Sequence, residues 1–138
     1  MSCWIHANGF MVVRSFYEDK DMIEKIKNNI KASLGAMIEF GEEEPEFAYK
    51  YMPSGSEGSL RYDIIENDCS IYISIHGDLR DMYQDDLQEI EDWYKESIKE
   101  ISEIDGCYLD GHVFTAYCEY GGRIVMYEDG LNVGVIRC

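Results

Sequence analysis

Apolar residues between Asp78 and Asp105 recur at steps of four and three: Tyr83, Leu87, Ile90, Tyr94, Ile98 and Ile101. That spacing marks one face of an α-helix and predicts a single long helix over the whole stretch. The opposite face carries Asp81, Asp85, Asp86, Glu89, Asp92, Glu96, Glu100 and Glu103. Asp78 suits the N-cap, and Gly106 suits the position just past the last turn. A second, shorter helix begins after Asp19 and ends at Gly35, with Met22, Ile23, Ile26, Ile30 and Leu34 as its apolar stripe.

Elsewhere the period is two. Cys69, Ile71, Ile73 and Ile75 alternate with Ser70, Tyr72, Ser74 and His76, the pattern of a strand with one wet face, and Gly77 is expected to end it. Leu60, Tyr62 and Ile64 alternate just before the turn Glu66-Asn67-Asp68. Phe47, Tyr49 and Tyr51 do so behind the loop Glu42-Glu43-Glu44-Pro45. Three more strands are expected over 112–120, 123–128 and 131–137, joined by Gly121-Gly122 and Asp129-Gly130. Near the N-terminus Asn8-Gly9 lies between two apolar runs and predicts a tight hairpin.

These elements predict one α+β domain over residues 1–138, with two helices packed on one face of a largely antiparallel sheet. Without the first short strand their order is two consecutive β-α-β-β units and one closing strand. In that order of elements the chain resembles the pseudo-duplicated sheets of the GyrI-like family. The resemblance implies a domain that binds small molecules or partner proteins, and no residue motif accompanies it.

Charge is what changes this picture most. The chain of 138 residues carries a formal charge of −16. Residues 1–40 are neutral, with five acids and five bases, whereas 78–105 holds eleven acids against three bases. A field of this sign disfavours nucleic acid and anionic membrane and favours a basic partner. Five cysteines, an odd number without a leader-like stretch before them, read as reduced thiols of a cytoplasmic chain.

Chemistry-bearing motifs are scarce. Cys107, His112 and Cys118 share one stretch but lack the close ligand pairs that zinc requires, so no metal and no cofactor is expected. Neither Cys69 nor Cys118 has the local signature of a cysteine nucleophile with His76. Close carboxylate pairs arise by chance among 28 acids.

The function expected is therefore non-enzymatic. The chain reads as a small acidic protein that neutralises or inhibits a basic, nucleic-acid-acting protein. In physical character it resembles toxin-immunity proteins and phage-encoded inhibitors of host defence. Asp81, Asp85, Asp86, Glu89, Asp92 and Glu96 are the expected contact row, a rigid line of carboxylates that imitates phosphates. The alternative is a small-molecule site of GyrI-like topology on the wet sheet face, with Tyr72, His76, Tyr117 and Tyr127, and Thr115 beside them.

Overall fold

The computed structural model describes residues 2–38 and 50–138. Its core is a six-stranded, wholly antiparallel sheet with two α-helices on one side. In chain order the elements are β1 (Trp4–Ser15), α1 (Lys20–Leu34), β2 (Arg61–Asn67), β3 (Ser70–Arg80), a single 3-10 turn (Gln84–Asp86), α2 (Leu87–Ser102), β4 (Cys107–Cys118), β5 (Arg123–Asp129) and β6 (Asn132–Arg137).

The sheet order is β2-β3-β1-β4-β5-β6. β1 is antiparallel to β3 and β3 to β2, so β1 and β2 run the same way with β3 between them. By the same argument β3 and β4 are parallel across β1. Two split β-α-β crossovers are thus interleaved, the ferredoxin-like connectivity, and the β5–β6 hairpin extends it beyond β4. The crossovers start from oppositely directed strands and step in opposite directions. A common right-handedness therefore brings both helices to the same face.

Alternation decides what that face buries. Ile5, Ala7, Met11 and Val13 of β1, Ile71, Ile73 and Ile75 of β3, Phe114 and Ala116 of β4, and Ile124 and Met126 of β5 form the floor of the core. Ile23, Ile26, Ile30 and Leu34 of α1 and Leu87, Ile90, Trp93, Tyr94, Ile98 and Ile101 of α2 close it from above. Asp19 caps α1 by accepting the Asp21 N–H at 2.8 Å, and Gly35 follows it at φ 101°.

Four expectations need correction. Asn8-Gly9 is not a turn, because β1 runs straight through it. The burial alternation stays in phase on both sides of Gly9, and its missing side chain leaves room for Phe114, whose Cδ2 would stand 2.6 Å from an added Cβ. Gly77 does not end β3. It pairs with Ala7, and β3 continues to Arg80, with Ser59 and Leu60 lying so close that an added Cβ would meet the Ser59 carbonyl at 2.6 Å.

The long helix is shorter than its apolar spacing implies. Asp78 belongs to β3, Asp81 turns the chain at φ 59°, and α2 begins only at Leu87. Tyr83 accordingly lies outside the core, 47% exposed. Cys69 sits half-buried in the β2–β3 turn rather than among the isoleucines. The expected strand over Phe47, Tyr49 and Tyr51 lies largely outside the described residues, and with it part of the first of the two β-α-β-β units. Tyr51 forms an isolated bridge to Ala36.

Candidate functional site

Two surfaces follow from this layering: the outer face of α2 and the bare face of the sheet. α2 is held by its buried side. The Trp93 indole N–H donates to the Leu34 carbonyl at 2.8 Å, tying the end of α1 to the middle of α2. Tyr94 is fully buried and stacks on Phe114, with ring centroids 4.6 Å apart. Its hydroxyl meets His112 Nδ1 at 2.9 Å. Burial pushes the Tyr94 phenol far above its ordinary range. Burial also lowers His112, against a smaller opposite pull from Glu128.

One acid of α2 points inward. Glu91 is 2% exposed, and its Oε2 takes Arg137 at 2.7 Å and Lys95 at 3.1 Å. Burial alone would raise this carboxyl, but Lys95, Arg137 and Gln88 hold it below the usual carboxylate range. The pair Glu91–Lys95 has the i,i+4 spacing of a helix surface pair and was legible in that sense. Arg137, from the last strand, was not. Lys50 is tied down similarly, donating to Ser97 Oγ at 2.9 Å and to the Ser33 carbonyl at 2.8 Å. Burial lowers it, while Glu100 and Glu96 pull the other way.

The expected acidic row is divided by the shorter helix. Asp81 accepts the Ser56 hydroxyl in the turn after β3, and Asp86 accepts the Tyr83 N–H at 2.7 Å. Both carboxylates shape the chain there. Asp85, Glu89, Asp92 and Glu96 are exposed, and among the described residues none of the four is in an ion pair. Asp92 accepts the Gln88 amide at 2.8 Å. Glu89, Asp92 and Glu96 stand at helical steps of three and four along the water side of α2, and Asp85 precedes them in the 3-10 turn.

On the bare face of the sheet, register brings the alternative residues together. His6 pairs with Tyr117, Asn8 with Thr115 and with His76, and Val12 with Tyr72. Tyr127 pairs with Val113, which lies beside Phe10. Tyr72, His76, Thr115, Tyr117 and Tyr127 therefore share one face, along with Phe10, whose ring stacks on Tyr72 at 6.0 Å. Phe10 and His6 were hidden by the hairpin expected at Asn8-Gly9. His6 bridges two carboxylates, Nδ1 to Asp78 at 2.6 Å and Nε2 to Glu119 at 2.9 Å. The hydrogen bond to Asp78 raises its pKa most, burial opposes it, and Glu119 adds to the rise.

Cavities open beside both helices. A cleft of about 620 Å³ lies between α2 and the β5–β6 hairpin, lined by Lys95, Lys99, His112, Glu128, Leu131 and Val133 among others. Cys107 and Cys118 stand at opposite ends of β4, twelve residues long, so they cannot share an ion with His112 between them. Cys118 Sγ instead lies 3.2 Å from Cys3 Sγ in the core. Among the described residues no helix is long and apolar enough to cross a membrane.

Comparison with protein-family models, with curated proteins and with solved structures finds no match for this chain. The GyrI-like likeness thus rests on the order of elements alone.

Proposed function

We propose that this protein is a non-catalytic binding protein that engages a basic protein partner through the outer face of α2, and so inhibits or neutralises it. The observation carrying this reading is the set of exposed carboxylates at Asp85, Glu89, Asp92 and Glu96. They stand free of ion pairs among the described residues, Glu89, Asp92 and Glu96 on a helix whose other side is locked by Trp93 and Tyr94, and Asp85 in the 3-10 turn before it. An acid in an ion pair has its charge offset; these four are in none, and only Glu96 is partly offset, by the nearby Lys50. A rigid helix presents them without a further ordering cost at binding. Charge of this kind acts mainly by steering encounter and by rejecting wrong partners.

The alternative, a small-molecule site on the sheet face, is less well served by the geometry. Small ligands favour concave sites, and clefts of about 540 and 620 Å³ open beside the helices. An exposed aromatic sheet face suits a macromolecular surface better.

The test is capture of partners from a lysate of the source cells on immobilised protein, with charge reversal at Asp85, Glu89, Asp92 and Glu96 as the comparison. The expected result is a basic protein retained by the native chain, released as salt rises, and lost from the reversed variant while circular dichroism shows an intact fold. Screening beyond roughly 8 Å at physiological ionic strength sets the salt sensitivity. A partner held equally by both forms, at all salt concentrations, would remove the acidic row from the function.

A further inference from the structure

We propose that the bare face of the sheet is a self-association surface, occupied by the same face of a second copy of this chain. Antiparallel sheets commonly leave one face to water, and such faces are normally polar. This one carries large apolar groups in a continuous diagonal stripe. Ile65 lies beside Tyr72, Tyr72 stacks on Phe10, Phe10 lies beside Val113, Val113 beside Tyr127, and on β6 Ile136 stands opposite Val125, one diagonal step from Tyr127. Ile65, Phe10, Val113 and Ile136 are 61%, 44%, 48% and 50% exposed, so the stripe is unpartnered within the chain.

The stripe reads nearly the same from both ends: isoleucine, tyrosine, a central pair, tyrosine, isoleucine. A two-fold interface needs a patch that is complementary to itself. An axis crossing the stripe between Phe10 and Val113 lays Ile65 of one copy against Ile136 of its partner, and the Tyr72 side against the Tyr127 side. Phe10 and Val113 then meet near the axis. Nothing in a foreign partner would require this symmetry of the stripe.

Charge singles out the same face. Two chains of −16 repel each other through most of their surfaces. Around the stripe the carboxylates already have partners: Asp110 accepts from Arg14 at 2.7 Å, Asp78 and Glu119 sit on opposite nitrogens of His6, and Asp63 meets His76 at 3.2 Å. Pairing through it turns the two α2 helices outward, where their carboxylates are farthest apart. Six strands about 4.8 Å apart and three side-chain rows about 6.7 Å apart give roughly 500 Å² of projected face per copy. Doubled, that reaches the lower end of specific interfaces, about 1,000 Å² in total. Interfaces of that size are typical of weak, transient association.

Sedimentation velocity over a wide concentration range tests this. The native chain should shift from monomer to dimer mass, and the shift should strengthen with added salt as the net charges are screened. Val113→Asp should weaken the dimer about a hundredfold or more, because each new carboxylate is then buried unpaired against Phe10 of the other copy, with its like-charged twin close across the axis. If circular dichroism shows that Val113→Asp has not folded, Ile136→Asp at the far end gives the same readout. Reversal at Glu89 and Asp92 should leave the dimer in place. A native chain that stays monomeric at every concentration overturns the proposal, as does a dimer that survives both stripe variants. Retention of a single-stranded oligonucleotide by such a monomer would assign the face to nucleic acid instead.

Discussion

Replacing Gly9 with alanine tests the register at the centre of the sheet. Gly9 faces Ile75 on one side and Phe114 on the other. An added Cβ would stand 2.6 Å from Phe114 Cδ2 and 3.1 Å from the Val113 carbonyl oxygen. The ring has little room to retreat, since it is fully buried between Tyr94 at 4.6 Å and Trp93 at 6.1 Å. Overpacking of this kind costs about 1–3 kcal/mol. The lower backbone entropy of alanine in the unfolded chain returns about 0.4–1 kcal/mol. Gly9→Ala should thus destabilise by about 1–2 kcal/mol. Phe114→Ala alone should cost about 3–5 kcal/mol, through lost burial and the cavity left behind. The double variant should fall short of the sum by about 1 kcal/mol, because the new methyl enters the space the ring has left. Urea unfolding followed by circular dichroism measures all three, provided the slope is unchanged. Additivity within about 0.3 kcal/mol would mean that Gly9 does not touch the ring, as would hold if Asn8-Gly9 were a turn.

Ile73 is fully exposed to the core and not to water, with Met11 and Ile64 as its cross-strand partners. Ile73→Ala removes three buried carbons, about 0.8 kcal/mol each, and leaves a cavity, so the expected loss is about 2–5 kcal/mol. A loss below about 0.5 kcal/mol in the same unfolding assay would place Ile73 on the wrong face. His6, raised by Asp78, stabilises the fold fully below its unfolded value of about 6.5 and loses that contribution as pH rises through the folded value. His112, lowered by burial, acts in the opposite sense, costing stability as pH falls below about 6.5. The difference in stability between the native chain and His6→Asn should therefore shrink as pH rises, and a difference constant across the titration would contradict the His6–Asp78 pairing.

Much of the fold was legible because burial leaves a period in the sequence. Ile71, Ile73 and Ile75 are buried as their alternation requires, and Ile23, Ile26, Ile30 and Leu34 as theirs does. Failures came where a local signal and a long-range contact disagreed. Asn8-Gly9 carries the chemistry of a turn, yet the ring of Phe114, more than a hundred residues away, is what explains the glycine. Gly77 has the same cause in Ser59 and Leu60. Tyr83 matches the helical period of α2 only by chance of spacing, since the 3-10 turn precedes the helix and its hydrogen bonds are set by Asp86. For the candidate site, exposed acids were readable one by one. Their division between structural duty at Asp81 and Asp86 and freedom at Glu89, Asp92 and Glu96 depends on where α2 begins. Arg137 reaching Glu91 joins the last strand to the helix, and no local pattern encodes that.

The basic residues show why the two proposed surfaces answer salt with opposite sign. Four of the five arginines, Arg14, Arg61, Arg80 and Arg123, stand on strands whose register turns them to the bare face, whereas none of the seven lysines lies on a strand. A guanidinium is planar and forked, able to lie along a sheet while holding a carboxylate, as Arg14 does with Asp110 and Arg80 with Glu57. The sheet face is therefore locally balanced, and salt acts on it chiefly by screening the net charge that keeps two copies apart. The outer face of α2 and the 3-10 turn before it keep four carboxylates out of ion pairs among the described residues, and salt acts there by screening an attraction. Raising salt should strengthen self-association and weaken partner capture in one and the same sample. If both responses ran in the same direction, a single surface would be serving both, and the division of charge between the two layers would have no functional meaning.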